Sequence, residues 1–153
     1  QWALRQAGYS PEVVDQYCKT LESLFDSLKV GKNPVVNGAG LPADLAQNLQ
    51  LVKAQCSTPY MRYFLNLDLT DLIGKIRCPV LALNGTNDRQ VDCEENLSIL
   101  RRGLKGPKTV LAIEGVNHLF QHCTTGDPSE YKDIEETFAP NVIQLVIEWL
   151  KSL

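Results

Sequence analysis

The spacing of apolar residues changes character once along the chain, near residue 76. Before that point the period is helical. Val13, Val14, Tyr17, Leu21, Leu24, Phe25 and Leu28 recur at intervals of three and four, which predicts one apolar helix face. Ser10-Pro11-Glu12 supplies the start: a hydroxyl that can cap, a proline suited to the first helical position, and an acid near the positive end of the dipole. Gly31 ends that helix, and residues 32–41, rich in Asn, Gly and Pro, read as a loop. Pro42 to Cys56 reads as a second helix with Leu45, Leu49 and Val52 aligned. Pro59 opens an aromatic segment in which Tyr60, Tyr63 and Phe64 are expected in the core of the helical part. Thr70 to Lys75 reads as a short helix. The opening residues, Trp2 to Ala7, read as the end of a helix stopped by Gly8, so the chain is expected to be a piece of something longer.

After residue 76 the pattern becomes that of an α/β unit. Cys78-Pro79-Val80-Leu81-Ala82-Leu83 is a continuous apolar run, as expected of a parallel strand buried on both faces, and Thr109 to Ile113 is a second. Between them Asp92-x-x-Glu95 opens a helix that reaches about Leu104, with Leu97, Leu100 and Leu104 inward. A long loop is expected from Glu114 to Phe138. Pro140 starts a last helix with Val142, Ile143, Val146, Trp149 and Leu150 on its apolar face, Trp149 in the core. The order strand, helix, strand, loop, helix predicts a short parallel βαβ unit over residues 77–153, preceded by a helical segment over residues 1–76.

Composition changes this picture little. The chain has 153 residues, 44% of them hydrophobic and 22% charged, with a formal net charge of -3 and no basic run. That argues against nucleic acid or an anionic membrane surface as partner. No apolar stretch approaches the roughly 20 residues of a membrane span, and no signal-peptide pattern is present. Cys18, Cys56, Cys78, Cys93 and Cys123 are odd in number and lack a CxxC spacing, so they read as scattered, mostly buried thiols.

Chemistry is expected beyond the C-terminal ends of the strands, where functional groups of open α/β sheets gather. Asn84-Gly85-Thr86-Asn87-Asp88 follows the first strand, and Gly115-Val116-Asn117-His118 follows the second. Were the strands parallel neighbours, Asp88 could hold one ring nitrogen of His118 and leave the other free as a general base. His122 competes for that role, but the loop after Phe120 is expected to carry it away. A metal set of Asp88, His118, His122 and Cys123 would need a helix where residues 115–127 read as loop. Glu130, Glu135 and Glu136 read as a solvated acidic face.

Pro79-Val80-Leu81-Ala82-Leu83-Asn84-Gly85-x-x-Asp88, followed after 30 residues by the histidine of Gly115-x-Asn117-His118, resembles the acid and base motifs of the α/β-hydrolases. In particular it resembles the bacterial serine-hydrolase branch related to acyl-peptidases, serine aminopeptidases and carboxylesterases, with Cys78 to Gly85 and Asn117 to Gln121 as the matching segments. The resemblance implies that residues 1–76 are a helical cap and residues 77–153 the C-terminal half of a hydrolase sheet. It implies ester or amide hydrolysis by a Ser-His-Asp triad in which Asp88 is the acid and His118 the base, with no cofactor or metal and a small-molecule ester or peptide as substrate. Tyr60, Tyr63 and Phe64 would alternatively line an acyl pocket.

One departure limits that expectation. The family's nucleophile elbow, G-x-S-x-G, is absent. Its nearest approach, Gly8-Tyr9-Ser10-Pro11-Glu12, lacks the second glycine and a preceding strand, and Ser10 is better read as a cap. The nucleophile and oxyanion hole are therefore expected upstream of Gln1, and the isolated chain is expected to be inactive. An aspartate there would make the protein a haloalkane dehalogenase or epoxide hydrolase instead. A non-catalytic interaction module is the third reading, and it would leave Asp88 and His118 out of hydrogen-bond reach. Two strands apolar on both faces also predict a homo-oligomer or pairing with the missing N-terminal half.

Overall fold

The structure is a computed structural model that describes the backbone of residues 1–153 and every side chain except that of Trp2. It mixes helix with a two-stranded parallel sheet, as in α/β proteins, and divides into two compact units, residues 1–67 and 68–153.

The first unit is all helical. It contains α1 (Trp2–Gln6), α2 (Pro11–Lys29), α3 (Ala43–Cys56) and α4 (Pro59–Leu65). The caps are those the local sequence offers: the hydroxyl of Ser10 accepts from the N–H of Val13, and that of Thr58 from the N–H of Met61. Gly8, at φ +86°, turns the chain between α1 and α2. The apolar stripe of α2 buries Tyr17, Leu24 and Leu28 against Val36 and against Leu45, Leu49 and Cys56 of α3, and Val14 of the same helix is buried too. Tyr17 keeps its hydroxyl paired with the amide oxygen of Asn48 at 2.6 Å.

The aromatic segment departs from expectation. Tyr60 and Phe64 are 72% and 56% exposed, and Tyr63 is exposed too. A helix of two turns buries one stripe, and in α4 Met61 and Leu65 occupy it. Tyr60 and Phe64, four residues apart, stand together on another side with ring centroids 6.5 Å apart.

The second unit contains α5 (Thr70–Ile73), β1 (Val80–Gly85), α6 (Cys93–Gly103), β2 (Lys108–Ile113), a 3-10 turn (Pro128–Asp133) and α7 (Pro140–Lys151). The two strands pair in parallel with Val80 opposite Lys108 and Gly85 opposite Ile113. α6 connects them and packs on both, so β1, α6 and β2 form the expected βαβ unit. Val142 and Leu145 of α7 pack with Leu83 and Ile113. The 3-10 turn interrupts the stretch read as uniform loop. Asp127 caps it, accepting from the N–H of Ser129 at 2.7 Å.

Burial in this unit is shallower than the apolar runs imply. β1 is half-buried through Leu83, Leu111 of β2 is exposed, and on α7 only Val142 is fully covered, with Trp149 half-buried and Ile143 and Leu150 exposed. A sheet of two strands has an edge on every strand, and two helices cannot cover both faces to their margins. The thiols differ similarly from expectation: Cys56 is buried, Cys78 is exposed, and the other three are half-buried.

α6 begins as its sequence requires. The carboxylate of Asp92 accepts from the N–H of Glu95 at 2.7 Å. Asp92→Ala is expected to lower stability by about 1 kcal/mol, the usual loss for such a cap. Urea unfolding followed by circular dichroism measures it, and an unchanged midpoint would show that the cap contributes nothing.

Candidate active site

The register of the sheet places the site. Because Gly85 lies opposite Ile113, both strands end at one level and their following loops leave the same edge. Three hydrogen bonds join those loops: Thr86 N–H to the Ile113 carbonyl at 2.9 Å, Gly115 N–H to the Thr86 hydroxyl at 2.9 Å, and Asn87 N–H to the Val116 carbonyl at 3.1 Å. The approach is close enough to require glycine at 85. A Cβ there would lie 2.2 Å from the Val116 carbonyl oxygen.

On this platform Asp88 Oδ2 lies 2.9 Å from His118 Nδ1. The Asp88 side chain is 4% exposed and that of His118 is 38% exposed. Asp88 is fully engaged: Oδ1 accepts from the N–H groups of Gln90 and Val91 at 2.8 and 2.9 Å, and Oδ2 also accepts from Asn84 Nδ2 at 3.1 Å. Burial pushes this carboxyl up. The imidazole of His118 and the backbone N–H groups of Val91 and Gln90 outweigh that and hold it below the ordinary aspartate value.

An ionised carboxylate only accepts, so His118 Nδ1 carries a proton, and in the neutral imidazole Nε2 then presents its lone pair. Nε2 has no hydrogen-bond partner among the described residues. A half-exposed imidazole held in one tautomer by a buried carboxylate is equipped to take a proton from a hydroxyl or water beside it. Next to Asp88 a cleft of about 390 Å³ runs between Thr86, Cys93, Leu97 and Ala112.

His122 is not drawn into this arrangement. Its Nδ1 lies 3.1 Å from each carboxylate oxygen of Glu136, and its backbone N–H donates to Glu136 Oε2 at 2.7 Å. The backbone N–H and then the ring of His122 lower the Glu136 carboxyl. Glu136 is thus a clamp on the loop after β2, in contrast to the solvated face expected of it. Glu130 departs likewise, its carboxylate accepting from Thr125 and Gly126 N–H groups and from the Thr125 hydroxyl. Among the described residues no three His, Cys, Asp or Glu side chains gather as a metal-ligand set, and no helix is long and apolar enough to cross a membrane.

Sequence reasoning missed Asn84, Gln121 and Glu136 as supports of the pair. Asn84 had a signal, since it directly precedes the glycine that ends β1. Gln121 stood in the segment that follows His118, whereas Glu136 had no signal, because its partners lie across a loop of irregular course.

The depressed Asp88 carboxyl has a consequence for pH. A group whose native value lies below its unfolded value, about 3.9 for aspartate, stabilises the fold above that value. The contribution is lost as pH falls through the lower native one. Asp88→Asn is therefore expected to flatten the acid limb of stability below about pH 4. Urea midpoints measured from pH 5 to 2 test this; equal slopes for both proteins would refute it.

No protein-family model, curated protein or solved structure matches the chain.

Proposed function

We propose that this chain is the acid- and base-bearing part of an α/β-hydrolase that cleaves carboxylic esters or amides. The observation that carries the reading is the 2.9 Å contact between buried Asp88 and half-exposed His118 at the C-terminal ends of two parallel strands. The non-catalytic alternative would leave that pair apart. In this reading the helical segment before the acid strand is the cap, and the nucleophilic serine and oxyanion hole lie in residues encoded before Gln1. The open edge of β1 is then met by further sheet from those residues or from a second copy.

The chemistry follows from the tautomer. His118 Nε2 accepts the proton of the attacking hydroxyl as its oxygen bonds to the substrate carbonyl carbon. The imidazolium formed is stabilised by the ionised Asp88. It then returns the proton to the leaving alkoxide or amine as the bond to that group breaks. Water repeats the sequence on the acyl-enzyme and restores the serine.

The test compares two proteins on p-nitrophenyl esters: the 153-residue chain, and a chain extended through the upstream coding sequence. The first is expected to show no turnover above background, and the second to turn over and to label with a fluorophosphonate. Turnover by the extended chain without labelling would favour an aspartate nucleophile. Turnover by the 153-residue chain that Asp88→Asn or His118→Ala abolishes would overturn the missing-nucleophile reading.

A further inference from the structure

We infer that Asn117 and Gln121 are positioning residues for His118, a buried pair of amides that fixes the backbone on which the imidazole stands. This rests on the reading of Asp88 and His118 as acid and base. A base carried by a loop keeps its alignment only if both peptide planes at its Cα are held. Here both are. The carbonyl of Asn117, in the peptide before His118, accepts from Phe120 N–H at 3.0 Å. The N–H of Leu119, in the peptide after it, donates to Asn117 Oδ1 at 2.9 Å.

The Asn117 side chain is fully buried inside this turn. Its Oδ1 accepts a second bond, from Gln121 N–H at 3.0 Å, while the backbone N–H of Asn117 donates to the Gln121 carbonyl at 2.9 Å. Two backbone donors on one oxygen settle which end of the amide is which. Nδ2 therefore donates, to Gln121 Oε1 at 3.1 Å, and Gln121 Nε2 donates in turn to the Glu136 carbonyl at 2.8 Å. The direction of the chain is fixed from end to end, and it ties the base turn to the segment that leads into α7.

The turn also carries a conformational load. Phe120 sits at φ +57°, a region that non-glycine residues avoid. Its ring stacks on Phe138 with centroids 5.4 Å apart, and its carbonyl accepts from Ala139 N–H at 2.7 Å. Without the Asn117 side chain the turn loses the bonds that oppose its relaxation. His118 then swings from Asp88 and returns to the Nε2–H tautomer usual for a free imidazole.

The experiment reads the tautomer directly, by long-range 1H–15N correlation of His118 in the 153-residue chain, with no need for turnover. Wild type is expected to show the Nδ1–H form. Asn117→Ala and the similarly sized Gln121→Met are each expected to shift the majority of His118 to the Nε2–H form while circular dichroism stays native. Asp88→Asn is the control that breaks the pair itself. If Asp88→Asn shifts the tautomer and a folded Asn117→Ala or Gln121→Met does not, the positioning role is overturned and the acid-base reading stands. A wild type without the Nδ1–H form overturns both. Should the variants fail to fold, hydrogen exchange on wild type decides. Slow exchange at Leu119 and Gln121 N–H supports the role, and exchange at unprotected rates overturns it.

Discussion

His118→Ala, in the proposed hydrolase extended through the upstream coding sequence, is expected to lower kcat for p-nitrophenyl ester hydrolysis by about 10⁴-fold or more. Without the imidazole the attacking hydroxyl has no proton acceptor in reach, and the leaving group has no donor. Asp88→Asn is expected to lower kcat by a similar factor, roughly 10⁴, although it leaves the imidazole in place. An amide at 88 offers an N–H where the carboxylate offered a lone pair. It turns the ring to the tautomer that carries its proton on Nε2, the nitrogen that must accept. The two effects should not add: once the base is absent or in the wrong tautomer, the second change removes little more. Steady-state kinetics of the two variants and the double variant measure this. Multiplicative losses would mean that Asp88 and His118 act independently, against the 2.9 Å contact between them.

Gly85→Ala is expected to damage both fold and site. The added Cβ would lie 2.2 Å from the Val116 carbonyl oxygen, 2.8 Å from the Val116 carbonyl carbon and 2.9 Å from the Asn117 carbonyl oxygen. These are backbone atoms, so no rotamer change relieves the overlap. The loops after β1 and β2 must separate by about 1 Å to reach ordinary contact. That strains the Asn87 N–H bond to the Val116 carbonyl and moves Asp88 relative to His118. Overpacking of this kind costs about 3 kcal/mol. A misplacement of about 1 Å at a reacting group costs roughly 10²-fold in rate. Urea unfolding reads the first, and turnover of the extended chain reads the second. An alanine variant with wild-type stability would show that the loops separate freely. The same reasoning applies at Gly126, at φ +79°, where a Cβ would meet the Asn87 carbonyl oxygen.

How much of this was legible before the structure depends on the range of each interaction. The helices of the first unit and both strands stand within a few residues of where the apolar spacing predicts them. Their signals, a period and a capping side chain, lie within one or two turns of chain. Asp92 caps α6 through a residue three positions away, which is the reach of any local pattern. Asp88 and His118 were legible for a different reason. Each follows an apolar run directly, and parallel neighbours must end at one edge.

Burial was less legible. Tyr60 and Phe64 have the composition of core residues, yet they stand exposed because Met61 and Leu65 take the one stripe that a short helix buries. Periodicity identifies a face and leaves open what packs on it. Glu136 looked like surface charge and clamps His122 instead. The amide bonds running from Asn117 through Gln121 to the Glu136 carbonyl follow no period, and the last of them joins residues 15 positions apart.

The sequence by itself therefore determined the main elements, their order and the position of Asp88 and His118 just after the two strands, because those follow from short-range sterics and capping. The tertiary structure alone decided the rest: the register that sets Gly85 opposite Ile113, the contact of Asp88 with His118, and the diversion of His122 to Glu136. These depend on which groups meet across loops of irregular course, where each donor pairs with whichever acceptor the packing brings within hydrogen-bond reach.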